Sequence, residues 1–140
     1  MKKIYLLLTI VSIIVVLNSC SSDDETSTTK SISFKVNGVS KNFIALSEEI
    51  VGILFISGYI GNASNPSETV SFTVDSGAVG PNTVSNFTYE NATDSYEPTA
   101  FNSNVSENSG GNAKGTFSGT LEPFETNDNV VITEGSFTTN

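Results

Sequence analysis

The sequence predicts an all-β domain, an antiparallel sandwich or small barrel of about seven to eight short strands. Three observations carry this. Apolar residues recur at alternate positions within short segments, which is the period of a half-buried strand. Clusters of Asn, Gly, Asp, Pro and Ser punctuate the chain between those segments. The polar fraction is rich in Ser, Thr and Asn, which suit exposed strand faces and turns, while long charged helix formers are scarce. A length of 140 residues fits one core rather than two.

The chain begins with a different signal. Lys2 and Lys3 precede "IYLLLTIVSIIVVL", Ile4 to Leu17, an apolar stretch of secretory-signal length. A spanning helix needs roughly 20 apolar residues, so an uncleaved anchor helix is the competing reading and the weaker one. Leu17, Asn18, Ser19 and Cys20 resemble the bacterial lipobox, with an aliphatic residue at minus three, a small one at minus one, then the modified cysteine. Asn18 is unusual at minus two. The resemblance implies cleavage before Cys20, a diacylglyceryl thioether on its sulfur, and acylation of the new amine. One acyl chain binds membranes marginally, with a constant on the order of 10⁴ M⁻¹, whereas two or three on one residue anchor it stably.

Residues 1–19 therefore read as signal peptide, 20–30 as lipidated cysteine and tether, and 31–140 as the domain. "SSDDETSTTK", Ser21 to Lys30, is polar enough to be a disordered spacer. Its "SSDDE" resembles the acidic signal that sends many Bacteroidota lipoproteins to the outer leaflet. Serine after Cys20, where aspartate would resemble inner-membrane retention, favours the outer membrane. A periplasm-facing position is the alternative.

Strand signals start at Ser31. "SISFKV" alternates Ile32, Phe34 and Val36, and Asn37-Gly38 is the strongest short hairpin signal, because both central positions of a type I′ turn need positive φ. "VSKNFIAL" returns antiparallel. "IVGILFISGYI", Ile50 to Ile60, reads as a central strand buried on both faces. "NASNPSE", Asn62 to Glu68, reads as a loop, "TVSFTV" as a strand around Val70, Phe72 and Val74, and "DSGAVGPN" as a turn cluster. "TVSNFTYE" is a weaker strand with Phe87 and Tyr89 on one face.

Residues 91–112 are rich in Asn, Ser, Glu and Gly, and read as a long surface loop with one short strand near Thr99 to Phe101. "AKGTFSGTLE" places Phe117, Gly119 and Leu121 on one face, and "NVVITEGSFTT" alternates Val131, Thr133, Gly135 and Phe137. Gly119 and Gly135 within strands signal bulges or close backbone approach. The last strand, ending near Asn140, is expected to be pinned inside the sheet.

The lipobox and acidic tether, "FKVNG" (Phe34 to Gly38), "GTFSGTL" (Gly115 to Leu121) and "VVITEGSF" (Val130 to Phe137) together resemble a family of small Bacteroidota lipoproteins, common in flavobacteria, built around an all-β domain of unknown function. The likeness spans the whole chain, with Asn62 to Asn112 alike only in character. It implies an all-β extracytoplasmic domain and supplies no catalytic residues.

Charge and composition narrow the function. Six lysines and no arginine face 15 acids, and cleavage before Cys20 leaves four lysines against those 15, a net charge of −11. Such a surface repels phosphate backbones, so no nucleic-acid partner is expected. Without histidine there is no Ser-His-Asp triad and no base to activate Cys20, and the G-x-S-x-G elbow is missing. Glu48 and Glu49 are adjacent, hence on opposite faces of a strand, and Glu90, Asp94 and Glu97 read as solvated charge rather than a glycosidase pair. "EPFETNDN" and "ENATDSYE" offer oxygens to calcium but lack EF-hand spacing.

The expectation is a non-enzymatic domain with no cofactor and no metal. Its partners are the membrane, through the Cys20 lipid, and a glycan or an envelope protein. Tyr89, Tyr96 and Phe101 flank the long loop and are the candidate ligand-contact residues, as aromatic platforms for sugar. The leading reading is a surface-exposed binding or adhesion-accessory module. The alternatives are a structural envelope lipoprotein that docks a partner protein and a lipocalin-like carrier of a small apolar ligand. An aromatic and amide patch on the loop would favour glycan, a flat apolar surface a protein partner, and an open apolar cavity the carrier.

Overall fold

Asn37 and Gly38 take φ values of 49° and 83°, the left-handed pair a two-residue hairpin turn requires, and return β1 (Ser31–Val36) antiparallel as β2 (Val39–Ile50). The pattern repeats around the computed structural model, which describes residues 30–139. Residues 1–29, on which the expected signal peptide, the expected lipidation at Cys20 and most of the expected tether fall, lie outside the described residues. The further strands are β3 (Ile53–Asn62), β4 (Asn65–Asp75), the two-residue β5 (Gly80–Pro81), β6 (Val84–Glu90), β7 (Ser95–Ser109), β8 (Asn112–Pro123) and β9 (Val130–Thr138).

Eight of these close on themselves in the cyclic order β1-β2-β3-β4-β6-β7-β8-β9, while β5 pairs only with β7. The fold is a closed antiparallel barrel, and of the two architectures expected the sandwich is excluded. The connections β1–β2, β3–β4, β6–β7 and β8–β9 gather at one end. The Val51-Gly52 and Gly110-Gly111 turns lie at the other, where Ser31 pairs with Thr138 and the chain enters and leaves the barrel. The last strand is pinned as expected, between β1 and β8.

An eight-stranded barrel has an interior just wide enough for side chains to fill. Here aromatic rings fill it. Phe117 is the hub, with ring centroids of Phe34, Phe72, Phe87, Phe101 and Phe137 at 5.6, 6.0, 5.3, 6.0 and 6.5 Å. Phe34 stacks on Phe43 at 4.9 Å, and Phe72 meets Phe137 edge-on at 5.0 Å. Each such pair contributes about 0.5–1.5 kcal/mol beyond its area burial. The rings fit because glycine stands opposite them: a Cβ on Gly135 would come within 2.5 Å of Phe117 Cδ2 and of the Phe117 carbonyl oxygen. The reading of Gly135 and Gly119 as points of close approach holds.

Several expectations are corrected. Residues 95–109 form β7, the longest strand, rather than a surface loop. Its outward face is exposed Asn, Thr and Glu, so it lacks the apolar density that marks a strand in sequence. Residues 62–68 are also mostly strand, with only Ala63 and Ser64 between β3 and β4. The segment from Ile50 to Ile60 is not buried on both faces: Leu54 and Ile56 point inward while Ile53 and Phe55 are exposed. In β9 the inward residues are Val130, Ile132, Gly135 and Phe137. A bulge with Glu134 at φ 54° shifts the phase midway, so Val131 and Thr133 face out. Lys35 Nζ donates to Glu134 Oε1 at 2.7 Å, holding that bulge against β1. A matching bulge at Asn86, φ 52°, lets Val84, Phe87 and Tyr89 all face inward.

Candidate functional site

Tyr89 and Tyr96 face each other across the β6–β7 pairing, their rings stacked at 5.6 Å, and both are buried. They are core side chains at the barrel's end, not a displayed platform, because inward positions on two paired strands converge there. The Tyr89 hydroxyl donates to Glu68 Oε2 at 2.6 Å, and Lys41 Nζ donates to Glu68 Oε1 at 2.6 Å. Burial above all, then the hydrogen bond to Glu68 and its charge, push the phenol's pKa well above its ordinary value. A phenol held protonated at neutral pH acts as a donor here, a strut joining β6, β4 and β2.

Phe101 lies half-buried on Phe87 at 4.8 Å, where β6 and β7 part. These strands share only two rungs, Tyr89 with Tyr96 and Glu90 with Ser95. Beyond them a shallow cleft of about 370 Å³ opens, lined by Ser85, Phe87, Thr88, Glu97, Pro98 and Phe101. Ser103 bridges the strands again lower down, its Oγ accepting from the Val84 N–H at 3.2 Å. So the structure brings Tyr89, Tyr96 and Phe101 to one seam, but chiefly as packing. Cys20 lies outside the described residues.

Two carboxylates of the "ENATDSYE" segment, Asp94 and Glu90, have structural partners. Asp94 is 7% exposed and accepts backbone N–H bonds from Ser95, Phe124, Glu125 and Thr126 at 2.9–3.2 Å. Burial pushes its pKa up, but these hydrogen bonds favour the charged form more strongly, and the balance is a lowered pKa. It ties the β6–β7 turn to the β8–β9 connection. Glu90 accepts from Thr69 Oγ1 at 3.1 Å. Among the described residues no group of three His, Cys, Asp or Glu is arranged to hold a metal.

What the sequence did not point to is an apolar face on the outer wall of β2 and β3. Register puts Ile44 opposite Tyr59, Leu46 opposite Ser57, Glu48 opposite Phe55 and Ile50 opposite Ile53. Ile44, Leu46 and Phe55 are 55%, 53% and 44% exposed. Leu46, Ser47, Glu48, Phe55 and Ser57 border a groove of about 390 Å³. β2 also outruns β1: their last rung is Ser31 with Ile44, and the Lys30 carbonyl accepts from the Ala45 N–H at 3.4 Å. The edge from Leu46 to Ile50 therefore pairs only with β3 among the described strands. The available signal was Glu48 and Ser57, polar residues in outward register with the apolar ones.

A closed antiparallel barrel with a filled interior offers its walls and turns for recognition, and among the described residues the β2–β3 wall gathers the exposed Ile44, Leu46 and Phe55, while Val79, Phe124 and Val131 are exposed elsewhere. Comparison with family models, with curated proteins and with solved structures finds no match for this chain.

Proposed function

We propose that this chain is an outer-membrane lipoprotein, tethered through Cys20 and displayed at the cell surface, whose barrel is a non-enzymatic docking module. The observation that carries docking is the outward row of Ile44, Leu46 and Phe55 on the barrel wall. Contiguous exposed apolar side chains mark interaction sites, since each otherwise holds ordered water at a cost that a partner's surface relieves. The anchor rests on the lipobox residues Leu17 to Cys20. With no aromatic platform at Tyr89 and Tyr96, the glycan reading loses its main support, and a protein partner on the same envelope fits the wall better.

Eight strands also suit a carrier of one small ligand. The close packing of rings around Phe117 supports the wall over the interior as the binding surface.

Photocrosslinking in intact cells tests the docking surface. A benzophenone side chain replacing Leu46 should give a discrete protein adduct, and one replacing Asn104, on the far wall, should give none. Equal labelling at both positions, or none at either, would remove the wall as a docking surface.

A further inference from the structure

Resting on the anchored reading above, we propose that the β2–β3 hairpin tip, Ile50 to Ile53, is a wedge that seats in the surface of the neutral-headgroup bilayer to which Cys20 ties the chain. Turn chemistry is the first observation. Val51 and Gly52 adopt φ of 50° and 78°, matching Asn37 and Gly38 at 49° and 83°. Asparagine visits that region readily through local hydrogen bonding, whereas a β-branched residue there is an outlier. Val51 is also 96% exposed. The tip thus places its least suitable residue in strained backbone and in water, and an apolar surrounding would recover the hydration cost while leaving the backbone strain in place. Such local misfits concentrate where a segment meets a ligand.

Position is the second observation. The tip lies at the barrel end where Ser31 pairs with Thr138, and the Lys30 carbonyl is bonded to β2 itself. Ten residues, Ser21 to Lys30, separate Cys20 from β1. At no more than ~3.6 Å each, they keep that end within about 36 Å of the acyl chains. The opposite end, with the Asn37-Gly38 turn and the β8–β9 connection, is a barrel length further from the point where the tether joins.

Composition is the third. Ile50, Val51, Gly52 and Ile53 carry no charge, while Glu48 and Glu49 stand behind them on β2 and Asp75 stands beside Ile53 on β4, whose following Ser76 N–H donates to the Gly52 carbonyl. Those acids, and a processed net charge of −11, select neutral headgroups over anionic ones. Entry is therefore shallow, with Val51 leading among the headgroups and upper acyl carbons and the Glu48, Glu49 and Asp75 carboxylates at the headgroup–water boundary.

The chain has no tryptophan, so one placed at the tip reports alone. The full-length Val51→Trp protein, and separately Ile50→Trp, is purified from membranes, checked by mass for lipid on Cys20, and reconstituted in phosphatidylcholine/phosphatidylethanolamine vesicles. Its emission should move to shorter wavelength and lose about half its intensity when the acyl chains carry bromine, as for a ring ~5–10 Å into the interface. Asn127→Trp, at the far end, should keep water-like emission. Lipidated, vesicle-bound protein whose tip tryptophans emit as in water overturns the wedge and leaves the anchor standing. A shift without vesicles that grows with protein concentration, or one that needs an added protein, also overturns it. An unlipidated Cys20 overturns both readings.

Discussion

Tyr89 and Glu68 share a 2.6 Å hydrogen bond, donated by a phenol from inside the barrel to a carboxylate that also holds Lys41. The Tyr89 pKa is raised by burial first and by Glu68 second. The folded chain therefore keeps a proton that the unfolded chain releases near pH 10. Its contribution is complete below about pH 10 and is lost as pH climbs toward the raised folded value. Urea midpoints should accordingly fall more steeply above about pH 10 in the wild type than in Tyr89→Phe. Parallel curves would mean that the phenol ionises freely in the fold.

Asp94 works at the other extreme. Its lowered pKa means that the stabilisation is present above about pH 4, the ordinary carboxylate value, and is lost as pH falls through the lower folded value. Asp94→Asn should flatten this acid limb and speed amide exchange at Glu125 and Thr126, whose N–H groups it receives. Unchanged exchange at both amides would show that the β8–β9 connection is held by something else.

Gly135→Ala places a methyl group 2.5 Å from the Phe117 ring and backbone oxygen. Backbone cannot rotate aside as a side chain can, so the substitution should cost about 1–3 kcal/mol in urea unfolding, the usual range for overpacking. A change below about 0.5 kcal/mol would be surface-like and would contradict the packing described.

Val51→Asn should do the opposite and stabilise the fold by roughly 1 kcal/mol, because the left-handed conformation costs an ordinary L-residue about 1–2 kcal/mol and asparagine less. The same change should weaken membrane contact at the tip. A destabilised Val51→Asn would mean that the valine packs usefully within the isolated barrel.

The strands legible in the sequence were those whose faces separate chemically. β1, β4 and β8 alternate apolar and polar residues without interruption in their central stretches, and the structure keeps their inward sets. β7 hid because its inward position at Ser103 is a hydroxyl, used to bond the Val84 amide, and its outward face resembles a loop in composition. β9 was read in the wrong phase for half its length because Glu134 inserts a bulge, and periodicity has no means of seeing one extra residue. The apolar wall was missed for the reverse reason. Hydropathy alone places Phe55 and Ile53 inside, and that inference fails because apolar residues also occur on protein surfaces. Tyr89, Tyr96 and Phe101 do gather at one seam, as their shared neighbourhood in the chain implied, but alternation alone does not say which face of a closing barrel they take.

The central claim is that this barrel hangs from a lipid on residue 20, and intact-mass spectrometry of protein extracted from membranes tests it most directly. The account predicts a chain that begins at Cys20 and carries the mass of a diacylglyceryl group, with or without a further acyl chain on the amine. A chain that still begins at Met1 with a free thiol at Cys20 would contradict it.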